Sequence, residues 1–330
     1  EDTLFSEILK KFTKAVQLDR NRFLLDTQSV KSELTAKITQ IGVNLSYDLT
    51  GEDKLTKDEQ NAFQQEASDL AQECYQNSLE EIKSIIEDRS KSLYSQIENI
   101  FTGDLVKIFL ERAVNQYDFN DNQESHSFEF SQVMNQIQGL QEFGEMFGLN
   151  PVEMAQRQGW LNTANLANQA GSFRMLDVYG SQLHHTVRSV GEFFGYNFKL
   201  FEAASWATNI ANFSAAFGEV LFVLSIASEI YLSLQEKQRE AKLAEKRVEI
   251  QQHFVTIAGD MVKQLNQGLT EVYNRLFIQA EAKISQMQAS QKQSSTQAAS
   301  DTQELAQIRH DLQNLIGEIN RSAPQLQRGV

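Results

Sequence analysis

One cysteine, Cys74, and two prolines are all that 330 residues contain of either type. A lone thiol excludes an intrachain disulfide and a cysteine-based metal cluster, and it suits a reducing compartment without requiring one. Scarce proline leaves long stretches with nothing to interrupt a helix. Basic residues are the minority: 30 Lys and Arg stand against 44 Asp and Glu, a net charge of −14. That balance argues against nucleic acid, whose binding needs clustered Lys and Arg.

Motifs for chemistry are missing as well. There is no Gly-x-x-x-x-Gly-Lys-Ser/Thr phosphate loop, no Gly-x-Ser-x-Gly elbow and no His-Glu-x-x-His. His184-His185 is the only clustered histidine pair, and neighbours on a helix point about 100° apart, too far to share a metal. Cys74 falls on an apolar stripe, which reads as a structural thiol rather than a nucleophile. The sequence therefore predicts no catalytic residue, no cofactor and no metal site, and this chain is not expected to be an enzyme by itself.

What is present is helix-forming composition. Gln, Ser, Lys, Glu and Ala dominate both ends of the chain, and all tolerate a helix interior, serine least. From Glu1 to about Val43, Leu4, Ile8, Phe12, Val16, Phe23/Leu24, Val30, Leu34, Ile38 and Ile41 recur at helical spacing. The polar run 44–59 reads as a loop broken at Gly51, with Thr56-Lys57-Asp58-Glu59 as a capped restart. A second arm follows to about Gln116, with Phe63, Ala67, Leu70, Cys74, Leu79, Ile82, Ile86, Leu93 and Ile97 on its buried side and a kink expected at Gly103. Residues 118–130 read as a loop. More than half of the 16 glycines fall between Gly139 and Gly218, so short helices and a compact head are expected there, with Asn150-Pro151 opening one helix.

After Gln235 the apolar series Leu243, Ile250, Phe254, Ile257, Met261, Leu265, Leu269, Val272, Leu276, Ala280, Ile284 and Met287 marks a returning arm. The low-complexity run 285–304 reads as a weak solvated helix. Leu305, Ile308, Leu312, Leu315/Ile316 and Ile319 then form a last amphipathic helix that needs a partner, ended by Ala323-Pro324.

Between the arms lies the apolar stretch Gly191–Gln235. It opens on Phe193, Phe194, Tyr196, Phe198 and Phe201, and from Ala203 to Gln235 its only charges are Glu219 and Glu229. A spanning helix needs about 20 apolar residues, and each mid-membrane carboxylate costs about 2.5–3.5 kcal/mol. A permanent span is therefore disfavoured, and two short helices breaking near Gly218-Glu219 fit better. Between Asp121 and Gln235 acidic residues outnumber basic ones 11 to 4. Anionic headgroups would repel that charge, so any membrane binding must come from apolar burial. The candidate lipid- or partner-contacting residues are Phe193, Phe194, Phe198, Phe201, Trp206, Phe213, Phe217 and Leu221. For any one of these rings, core packing is the plainer reading.

The run Gly191-Glu192-Phe193-Phe194-Gly195-Tyr196-Asn197-Phe198-Lys199, then Glu202-Ala203, Trp206-Ala207 and Asn209-Ile210, and the charged run Glu236–Phe254 resemble the C-terminal helical part of bacterial dynamin-like proteins of the labile-enterotoxin-output type. The resemblance implies an all-α, elongated antiparallel helical bundle, or stalk, with a compact hydrophobic tip. It implies stalk helices in 1–117, a glycine-rich tip in 118–235, and a returning helix with a C-terminal amphipathic helix in 236–330. It further implies a GTPase domain before Glu1 or in trans, conditional contact with a lipid membrane, self-association, and a place in the bacterial cytoplasm at the membrane periphery. Two other classes fit the residues. One is a secreted α-helical pore-forming toxin with a stored hydrophobic hairpin. The other is a soluble coiled-coil scaffold that docks proteins on its apolar middle.

Overall fold

The computed structural model describes residues 2–51, 55–116, 127–159 and 236–326. Of these, 94% are helical and none is in a strand, so the chain is all-α over the described residues. The helices are α1 (Asp2–Leu49), α2 (Lys57–Phe101), α3 (Asp104–Gln116), α4 (Ser127–Glu145), α5 (Pro151–Arg157), α6 (Glu236–Tyr273) and α7 (Gln279–Leu326). A π-helical turn, Asn274–Ile278, joins α6 to α7 without interrupting the helix.

α1 is the element against which the others pack. Its 48 residues make a rod of about 72 Å at 1.5 Å per residue. Phe5, Phe12, Val16, Phe23, Val30, Leu34, Ile38 and Leu45 lie along it, all nearly inaccessible to water. Contacts that ascend along α1 descend along α2 and α3: Phe5 meets Phe109 at 5.6 Å, Phe12 meets Phe101 at 5.0 Å, and Asp19 meets Ser92. They descend along the last long helix too. Arg20 pairs with Glu281 at 2.8 Å, Phe23 with Phe277 at 5.4 Å, Lys31 with Asn266 at 3.0 Å, and Ser46 with Gln251 at 3.0 Å. α4 closes the core near the start of α1, where Phe143 packs on Phe12 at 4.6 Å. Each ring pair adds about 0.5–1.5 kcal/mol beyond the area it buries.

Local chemistry sets the element ends. Thr56 caps α2 with a reciprocal pair: the Glu59 amide donates to Thr56 Oγ1, and the Thr56 amide donates to Glu59 Oε2. The restart expected at Thr56 is therefore present. α2 stops at Phe101, and Gly103 separates it from α3, so the expected kink is a break between two helices. α4 ends where Gly148 takes a φ of +71°, allowing the Leu149 amide to reach back to the Gly144 carbonyl at 2.9 Å. Pro151 then opens α5 at its first position, as the Asn-Pro pair predicts.

Several expectations are corrected. The run 44–59 is not a loop throughout, because α1 continues to Leu49. Leu45 and Leu49 extend its buried stripe, and the Ser46 and Thr50 hydroxyls donate to the Val43 and Ser46 carbonyls, which keeps these polar side chains satisfied within the helix. Residues 127–130 belong to α4, since Ser-Phe-Glu-Phe contains no helix breaker. Gly139 and Gly144 lie inside α4 rather than punctuating it. Leu24 and Leu70 are exposed at 45% and 44%. The seam runs instead through Phe23 and through Ala67 and Ala71, small residues that let helices approach closely. Pro324 lies within the last turn of α7, which continues to Leu326, so Pro324 removes one amide donor without ending the helix.

Candidate functional site

The eight apolar candidates from Phe193 to Leu221, together with His184-His185, lie outside the described residues. Their flanks lie inside. On the upstream side, α5 packs on α4, and α4 packs beside Phe12 near the start of α1. On the downstream side, α6 runs alongside the far end of α1. Arg247 donates from Nε to Thr50 Oγ1 and from Nη2 to the Thr50 carbonyl at 3.0 Å, and its guanidinium sits 4.9 Å from the Tyr47 ring centroid. An arginine bound to the last carbonyls of a helix satisfies acceptors that the helix itself cannot. Phe12 and Thr50 are about 57 Å apart along α1. The described helices on either side of residues 160–235 thus lie near opposite ends of α1, with α6 at the end away from Asp2.

The same far end is tightly packed. A Cβ on Gly42 would lie 2.4 Å from Phe254 Cβ, so glycine there is what lets α6 seat against α1. This contact lies about five turns into α6, next to Ile250, its first buried residue.

A buried polar layer crosses the middle of the α1–α2 seam. Asp19 is fully buried, accepts from Ser92 Oγ at 3.0 Å and from Gln96 Nε2 at 2.5 Å, and has Arg89 Nη1 at 3.7 Å. Burial raises the Asp19 carboxyl above its usual range, while Ser92, the Arg89 and Arg22 charges and Gln96 pull it back down. Sequence reading missed this residue, because a single aspartate beside a stripe carries no periodic signal. Its partners come from the other helix, which makes it a register lock between α1 and α2.

A third feature is a cleft of about 210 Å³ between the start of α1, α4 and α7, lined by Phe5, Gln136, Glu142, Lys283 and Met287 among others. Lys283 is ion-paired with Glu142 and holds that carboxyl below its ordinary range. Gln136 Oε1 is buried with no hydrogen-bond partner. The lining is rich in amide side chains, with the Lys283–Glu142 ion pair as its charged group. Burial raises the half-buried Cys74 thiol, which keeps it protonated and unreactive at neutral pH.

The fourth feature is the outer half of α7. Beyond Met287 the helix leaves the core, and Leu305, Ile308 and Leu312 are 66%, 50% and 57% exposed. The expected last amphipathic helix is here continuous with the returning arm, with Leu305, Ile308 and Leu312 on its exposed surface.

Among the described residues, no group of three His, Cys, Asp or Glu side chains could hold a metal, and no helix is long and apolar enough to cross a membrane. No protein-family model matches the chain, and neither a curated protein nor a solved structure matches it.

Proposed function

We propose that the chain is the helical stalk of a membrane-associating protein, an elongated antiparallel bundle that presents the apolar stretch Gly191–Gln235 at one end. The observation that carries this reading is the seating of α6 by Arg247, Thr50 and Tyr47 at the end of α1 away from Asp2, directly after the apolar stretch. One end of the rod then holds Asp2 and the projecting half of α7, and the other receives the chain as it returns from its most apolar run. That layout suits a protein whose base is tethered and whose tip meets lipid. It also suits the stalk of a bacterial dynamin-like protein, in which a GTPase domain before Glu1 would supply the hydrolysis and this chain the reach. In that reading the protein acts at the cytoplasmic membrane periphery, in membrane remodelling or vesicle-linked secretion.

The aromatics Phe193, Phe194, Phe198, Phe201, Trp206, Phe213, Phe217 and Leu221 are the proposed contact surface. The test is flotation of the chain with neutral and anionic liposomes. The chain is expected to float with lipid, and Phe213→Glu with Phe217→Glu to abolish flotation while leaving far-UV helicity unchanged. A chain that stays in the soluble fraction with every lipid composition overturns the membrane reading in favour of a protein-docking scaffold. Release of entrapped dye would instead identify a pore former.

A further inference from the structure

The apolar stripe of α7 is buried in its inner half and exposed in its outer half, and the sequence of the exposed part identifies an occupant. From Gln303 to Asn314 every residue is exposed, and the only large apolar side chains are Leu305, Ile308 and Leu312. They are spaced three and four apart, and the sequence continues the same alternation to Leu315 and Ile319. This is one unbroken heptad register, with Leu305, Leu312 and Ile319 at the a positions and Ile308 and Leu315 at d. Over Leu305–Leu312 the apolar residues keep to a and d, the seam for a single partner helix, and Ile316 at the second e position widens that seam toward its end.

The flanking charges choose between partners. In this register the g positions are Glu304, Asp311 and Glu318, all acidic, and the e positions are Arg309 and the apolar Ile316. A second copy running antiparallel would set the acidic g row against itself. A second copy running parallel sets Glu304 of each chain beside Arg309 of the other and opposes no like charges. We propose that two copies of this chain associate through a parallel coiled coil formed by residues 305–319 of α7. The seam lies beyond the core contacts of α7, so pairing requires no opening of the bundle. The proposal does not depend on the membrane reading.

Sedimentation equilibrium of the full chain tests it, read together with circular dichroism. The wild-type chain is expected at twice the 37.5 kDa of one copy. Ile308→Asp with Leu312→Asp is expected to return it to one copy with no loss of folded-core melting. Orientation is read in a Cys74→Ser background: Leu305→Cys and Ile319→Cys should each cross-link to itself on mild oxidation. Arg309→Glu should raise the dissociation constant several-fold, and Glu304→Arg added to it should restore pairing. A wild-type chain that remains a single copy at every attainable concentration overturns the proposal and assigns the stripe to another occupant. So does a doubled mass unaffected by the two aspartates, or cross-linking only between a Leu305→Cys chain and an Ile319→Cys chain.

Discussion

The inner and outer halves of the last long helix share one period and differ in what covers it. From Ile250 to Met287 the periodic apolar series is buried against α1, α2 and α4, with Phe254, Leu265 and Val272 fully enclosed. From Leu305 to Leu312 the same three-and-four spacing stands in water. Periodicity reports which face of a helix is apolar; whether that face is covered is decided by how far the neighbouring helices extend. The contrast also separates two kinds of energy. Burial in the inner half holds the fold together, whereas the outer half keeps its apolar surface for an association that depends on concentration.

The sharpest way to break this contrast is truncation of a covered ring. Phe277→Ala removes the side chain packed against Phe23 and Tyr273 and should cost about 3–5 kcal/mol, read as a lower urea midpoint at unchanged slope. Next in size is Gly42→Ala. Its methyl would clash with Phe254 and should cost about 1–3 kcal/mol by forcing α6 off α1. A pH series on Asp19→Asn comes third. Burial raises the Asp19 carboxyl above 3.8, so the folded state holds its proton more tightly than the unfolded chain does. Stability from this group is present at acid pH and is lost as pH rises from 3.8 through the folded value. Asp19→Asn should remove that decline, and an unchanged profile in urea titrations between those limits would show that Asp19 does not set it. The smallest effect belongs to Leu305→Ala. It should change the unfolding free energy of the single-copy chain by less than about 0.5 kcal/mol, because the side chain touches no core. A loss as large as that of Phe277→Ala would show that the outer stripe is covered within one copy.

Much of this fold was legible from residues alone, because long amphipathic helices write their period directly into the chain. The series from Ile250 to Met287 is buried at every large position, and the Thr56 cap and the Pro151 helix start lie where their chemistry requires. Helix extents were less legible. Polar residues such as Ser46 and Thr50 resemble loop formers until their hydroxyls are seen bonded to carbonyls one turn back. Of the pair Phe23/Leu24 only Phe23 faces the core, and Leu70 is exposed because the small Ala67 and Ala71 occupy that part of the α2 seam. Asp19 leaves no pattern at all, since its hydrogen-bond partners Ser92 and Gln96 lie on another helix. The aromatic candidates between Phe193 and Leu221 lie outside the described residues.

The π-helical turn at Asn274–Ile278 has a mechanical meaning for everything beyond it. Its wider ring, closed by the Gln279 amide on the Asn274 carbonyl, places Leu276 and Phe277 on the interior side together. One residue more or less at that point turns the remainder of the helix by about 100°. The phase of the outboard seam relative to the body is therefore set at a single link, some 27 residues before Leu305 begins. Deleting one residue there would leave the seam's sequence intact but aim it in a different direction.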